Sequence, residues 1–361
     1  MRRLPFLLLL ALVGCGDPPS ASDAGQRPDA ARADDAGASA LDLGALPNDR
    51  WTLVEVPGAV CGNGSPFSIG VNPHAGATEA LIIVMGGGAC WDATTCFTLN
   101  SASHVAEDYT QAIFDRERAI VSMVGWDDRA AVLNPFRTSH LVFVPYCTGD
   151  LHAGDAVQVY PGAPGGAEVH HRGTPNTLAY LDAMRAAWPG LGTVRVIGFS
   201  AGGYGAQIHW GHFADMWPDA DLVMLADSSP MADVEPPLYA SWRASWNLYT
   251  PEGCTECATR FPAYDDFYDT RYPASRFALL ATTRDRVLTT FWGVSDLAPR
   301  VDRLLTDHLD DNATTRYFVV DSTDHVILGQ AGTLRSADGI LLIDWLLGWL
   351  ANDARWVNTR P

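Results

Sequence analysis

The strongest constraint on the fold is a series of short, nearly uninterrupted apolar runs separated by segments with helical periodicity. The runs at 51–56, 80–85, 140–146, 194–199, 221–226, 277–283 and 316–321 are rich in Val, Ile, Leu and Phe and read as strands. Strands without polar alternation are buried on both faces, which is the habit of a mostly parallel sheet. The intervening patterns predict helices over 104–115, 174–188, 202–217, 298–309 and 335–350. This alternation defines an α/β chain with helices on both faces of the sheet. The run at 340–347 is interrupted by Asp344 and is too short to span a bilayer, so it reads as a covering helix. One stretch breaks the pattern. Residues 229–276 carry Trp242, Trp246, Tyr249, Phe261, Tyr264, Phe267, Tyr268 and Tyr272 with several prolines. It reads either as a cap over a site at the strand ends or as an insertion whose aromatics fill their own small core.

Composition removes several chemistries. The formal charge of −18 repels a polyanion, so nucleic acid is not expected as a partner. All 24 basic side chains are Arg and none is Lys, which excludes a phosphate-loop lysine and Schiff-base or pyridoxal chemistry. Ser, Cys, His and carboxylate chemistry remain.

The N-terminus points to export. Arg2 and Arg3 precede an apolar run from Leu4 to Val13, the layout of a signal peptide. The run ends in Leu12-Val13-Gly14-Cys15, which resembles a bacterial lipobox, so 1–15 is expected to be removed or acylated at Cys15. Gly16 follows in place of Asp, which favours the outer membrane or cell surface. Residues 16–48 are Ala, Asp, Pro, Ser, Gly and Arg without periodicity and read as a disordered acidic tether, leaving 49–361 as the folded domain. Membrane contact is expected through lipidated Cys15 alone, with the domain a monomer. Six further cysteines, Cys61, Cys90, Cys96, Cys147, Cys254 and Cys257, suit an oxidising compartment, although their pairing is open on counting alone. The Cys254–Cys257 spacing lacks a second such pair and does not argue for zinc.

The most informative motif is Gly198-Phe199-Ser200-Ala201-Gly202, placed between an expected strand and an expected helix. That context is what a nucleophilic serine on a strand-to-helix turn requires, and the helix start aims N–H groups at an oxyanion. With such a nucleophile, the acid and then the base follow along the chain. Of the later histidines, His209 and His212 fall within a helix and His308 near the end of another. His325 lies in a loop after the last strand and is the expected base. Two aspartates follow strand ends. Asp285, after the penultimate strand, is preferred as the acid; Asp227 is then structural, and Asp324 a solvated neighbour. Gly86-Gly87-Gly88 follows an earlier strand where a second oxyanion donor is needed.

These blocks together resemble the pectin acetylesterase and Notum family of serine esterases. The similar segments are Val60 to Pro66, Gly86 to Cys90 with Cys96, Val144 to Asp150, Gly198 to Gly203, and Leu225 to Ser228. The resemblance implies an α/β-hydrolase fold, with Ser200, Asp285 and His325 as the triad. It also implies Gly87, Gly88 and Ala201 as oxyanion donors, and disulfides Cys90–Cys96, Cys61–Cys147 and Cys254–Cys257. It calls for no metal or organic cofactor. The expected substrate is an ester, foremost an acetylated polysaccharide, with a longer acyl ester on a protein or lipid as the alternative. Ala89 stands where the family has Trp, so acyl preference does not carry over. A surface-binding lipoprotein on a hydrolase scaffold is the rival from another class.

Overall fold

The computed structural model describes residues 41–361 apart from 122–124, 127 and 133. Expectations for the signal peptide, for Cys15 and for 16–40 fall outside the described residues. The strands are β1 (Thr52–Val60), β2 (Pro66–Asn72), β3 (Glu79–Val84), β4 (His140–Val144), β5 (Ala156–Val159), β6 (Glu168–His171), β7 (Thr193–Phe199), β8 (Asp221–Asp227), β9 (Arg276–Thr282) and β10 (Thr315–Val320). Eight of them form one sheet in the order β1-β2-β4-β3-β7-β8-β9-β10, parallel from β4 to β10. β1 and β2 join antiparallel at one edge, and β5 and β6 pair as a separate hairpin.

The helices are α1 (Gln111–Val121), α2 (Gly173–Ala187), α3 (Ala201–Ile208), α4 (Trp210–Met216), α5 (Pro236–Trp246), α6 (Pro262–Arg271), α7 (Arg286–Trp292), α8 (Ala298–Leu304) and α9 (Leu342–Ala351). Helices packed around the sheet explain why β4 is buried at every position and β8 and β9 at all but the first. The sequence reading located the central strands and missed β2, β5 and β6. It also assigned none of α5, α6 and α7.

Several boundaries differ for local reasons. The helix expected over 104–115 begins only at Gln111, because His104 takes a left-handed φ of 57° and Thr110 provides the start. The helix expected over 202–217 breaks at His209, and that over 298–309 ends in a wider π turn. That expected over 335–350 begins at Leu342, after a turn through Gly339 and a bridge from Arg335 to Leu341. Within the expected tether, Leu43 is fully buried and Leu41 and Leu46 pack on the core, so ordered chain starts before residue 49. Among the described residues, no helix is long and apolar enough to cross a membrane.

The aromatic stretch 229–276 contributes α5 and α6. Trp242 and Trp246 stack at 5.4 Å, Tyr239 meets Phe261 edge-on at 4.9 Å, and all four join the main core with Tyr264 and Tyr268. The insertion thus buries most of its aromatics. Three disulfides, Cys61–Cys147, Cys90–Cys96 and Cys254–Cys257, staple the loops.

Candidate active site

The parallel register aligns the strand ends that precede the candidate residues. Phe199 of β7 lies beside Asp227 of β8, Asp227 beside Leu280 of β9, and Thr282 of β9 beside Val320 of β10. Ser200, Asp285 and His325 therefore emerge at the C-terminal end of the parallel strands, from the segments that follow β7, β9 and β10. Ser200 is the pivot between β7 and α3, with φ 51° and ψ −121°. A non-glycine residue in this region is strained, and such strain persists only where its surroundings enforce it. Close packing enforces it here. A Cβ on Gly202 would lie 2.1 Å from the Val84 carbonyl oxygen, and one on Gly86 would lie 2.3 Å from that of Phe199. The turn is pressed against the end of β3 with no room for side chains at either position.

His325 and Asp285 meet directly. The His325 Nδ1–H donates to Asp285 Oδ2 at 2.6 Å, and the Asp285 side chain is only 1% exposed. The other carboxylate oxygen caps α7, accepting from the N–H groups of Val287 at 2.8 Å and Leu288 at 3.0 Å. Both oxygens are thus occupied, which fixes the carboxylate and leaves His325 Nε2 as the ring nitrogen able to take a proton. Ser200 and His325 border the same cavity, of about 560 Å³, whose walls are largely apolar: Met85, Phe199, Val287, Phe291 and Val326.

Ser200 also borders a tight recess of about 30 Å³, walled by Ala89, Leu151, Tyr204, Trp242, Leu288 and Trp292. The N–H groups of Gly87, Gly88 and Ala201 find no acceptor among the described residues. That of Ala89 is taken by the Ser101 carbonyl at 3.1 Å. Unused N–H groups beside a serine at a helix start are what a developing oxyanion needs.

The remaining expected residues lie elsewhere. Both Asp227 oxygens receive backbone N–H groups, from Ile327 and Leu328, and burial pushes its carboxyl up to about 6 against the pull of those bonds. Asp324 accepts from Ser322 and Gln330, bonds that hold its carboxyl below the usual range. His209 is fully enclosed between the His152 carbonyl and His212, and burial lowers its imidazole to about 3. His308 pairs with Asp266 on α6. Cys90, Cys96 and His171 bring three metal-type ligands together, but the two sulfurs are joined to each other. Of the aromatic insertion, Trp242 borders the recess beside Ser200. Sequence reasoning missed the cavity walls Val287 and Phe291 on α7 and the loop residues Asn100, Ser101 and Ser103. Capping of α7 by Asp285 was the one available signal for that wall.

A mostly parallel eight-stranded sheet with a serine on the turn after a central strand defines an α/β-hydrolase-type fold. The family model described as Pectinacetylesterase matches residues 49–243, and the chain belongs to that family of esterases. The match takes in Gly86 to Cys90 and the Ser200 turn. No curated protein matches the chain.

Proposed function

We propose that the protein is an exported serine esterase that removes acetyl groups from a polysaccharide. The observation that carries this reading is the Asp285-anchored imidazole of His325 facing the same cavity as Ser200. Ser200 Oγ attacks the acyl carbonyl while His325 Nε2 takes the hydroxyl proton, and Asp285 stabilises the imidazolium that forms. The carbonyl oxygen becomes an oxyanion facing the N–H groups of Gly87, Gly88 and Ala201. Collapse expels the alcohol, which receives the proton from His325. Water, deprotonated by the same imidazole, then cleaves the acyl-enzyme and restores Ser200.

The recess of about 30 Å³ supports acetyl as the acyl group, since it holds only a few atoms. The larger apolar cavity supports a second reading, an ester with a longer acyl chain on a protein or lipid. The proposal includes Cys15 as a lipid attachment, a tether within the expected 16–48 ahead of the packed Leu43 and a monomeric domain; the three disulfides support an oxidising compartment.

The test is turnover of p-nitrophenyl acetate, butyrate, octanoate and acetylated pectin by the wild type and Ser200→Ala. Acetate preference that vanishes in the variant is the expected result. Preference for octanoate selects the second reading. Absence of turnover on every ester overturns the esterase and leaves a binding protein.

A further inference from the structure

The end of β8 and the two residues after it, Asp227 to Ser229, contact both sides of the candidate active site. Three consecutive N–H groups following His325 end on this segment. Val326 donates to Ser228 Oγ at 2.8 Å, Ile327 to Asp227 Oδ1 at 3.0 Å and Leu328 to Asp227 Oδ2 at 2.7 Å. In the opposite direction, the Ser200 N–H donates to the Asp227 carbonyl at 2.8 Å, and the Ser229 hydroxyl donates to the Ser200 carbonyl at 2.7 Å. Asp227, Ser228 and Ser229 are all fully buried. Two left-handed residues pay for this arrangement: Ser228 at φ 59° and Val326 at φ 61°, the latter β-branched and the more strained. Gln207 on α3 holds the segment from behind, donating to the Ser229 carbonyl at 2.8 Å.

We infer that Asp227, Ser228 and Ser229 are positioning residues that set the His325 imidazole against the Ser200 hydroxyl. Asp285 fixes only one ring nitrogen. The reach of the other depends on the backbone that follows His325, which bonds to Asp227 and Ser228, while Asp227 and Ser229 hold the Ser200 turn, so that Asp227 bonds to both. One short segment thus sets the spacing of nucleophile and base, although none of its side chains touches either reacting atom. The inference deepens the esterase reading and rests on it for its kinetic readout.

The test compares Ser228→Ala and Asp227→Asn with the wild type in three measurements: steady-state hydrolysis of p-nitrophenyl acetate, thermal unfolding, and the proton NMR signal of the His325 Nδ1–H. Ser228→Ala deletes one acceptor and leaves the carboxylate in place. Its expected result is a kcat lower by about 10- to 100-fold with KM changed less than about twofold. Unfolding stays cooperative, and the Nδ1–H signal broadens or shifts. Asp227→Asn lowers kcat at least as far; should it not fold, Ser228→Ala carries the test. A folded Ser228→Ala with wild-type kcat and an unchanged signal overturns the inference. A wild type inactive on every ester removes the esterase reading, and the NMR comparison then decides the positioning role alone.

Discussion

β8 and β9 are neighbours in the sheet, and a buried aspartate stands at or just beyond the end of each, yet the two carboxylates serve different partners. Asp227 gives its oxygens to backbone N–H groups of 327 and 328, whereas Asp285 gives one to a helix start and one to an imidazole. Two features separate them. Asp227 is the last residue of its strand, held inside the sheet edge, while Asp285 lies three residues beyond β9 and reaches across to the loop after β10. The difference teaches that a strand-end aspartate is defined by what it faces. One fixes the backbone that follows His325; the other fixes the His325 imidazole itself.

The largest expected effect tests that division directly. Asp285→Asn should lower kcat by about 10⁴-fold, because an amide stabilises the wrong imidazole tautomer and no imidazolium. Asp227→Asn should lose one to two orders of magnitude, and the reverse ranking in steady-state kinetics would make Asp227 the acid.

The second effect concerns stability. Burial raises the Asp227 carboxyl from 3.8 to about 6, so the folded state favours its protonated form. Its contribution to stability is therefore full below about pH 4 and is lost as pH rises through 6, a swing of about 3 kcal/mol. Asn cannot titrate. Urea unfolding at pH 4.5 and 7.5 should show Asp227→Asn gaining relative to wild type at the higher pH, and a gap that does not change with pH would show that the carboxyl is not desolvated.

A smaller effect comes from α7, which Asp285 caps. Phe291 borders both the large cavity and the small recess. Phe291→Ala should raise the butyrate-to-acetate ratio of kcat/KM by about tenfold, whereas changes after β8 should leave that ratio alone. The smallest effect belongs to Asp324, the chain neighbour of His325, whose carboxylate bonds Ser322 and Gln330 instead. Asp324→Asn should alter kcat by less than about twofold. A larger loss would mean that proximity along the chain matters more than the bond across to Asp285.

Much of this arrangement was legible in the sequence because it depends on local signals. Val194 to Phe199 reads as a buried parallel strand by composition, and Gly198 to Gly202 reads as a tight turn because a strand pattern precedes it and a helical pattern follows it. His325 stood out because the other late histidines lie in helices. The partnership of Asp227 with the loop after His325 was not legible, since those residues are about a hundred positions apart and neither Ser228 nor Val326 announces a left-handed backbone. The helices α5 and α6 were also missed. A period is present in α5, where Tyr239, Trp242 and Trp246 are buried while Ala240 and Ala244 are exposed, but the prolines at 236, 237 and 262 read as breaks and obscure both helices. α7 is too short for periodicity to identify, and only its cap marks it.

The most direct test of the central claim is covalent. A fluorophosphonate probe added to wild-type protein should attach to one serine, identified by peptide mass spectrometry as Ser200, with labelling lost in Ser200→Ala and greatly slowed in His325→Ala. Labelling at a different residue, or ester turnover that survives in Ser200→Ala, would contradict a nucleophile at the end of β7.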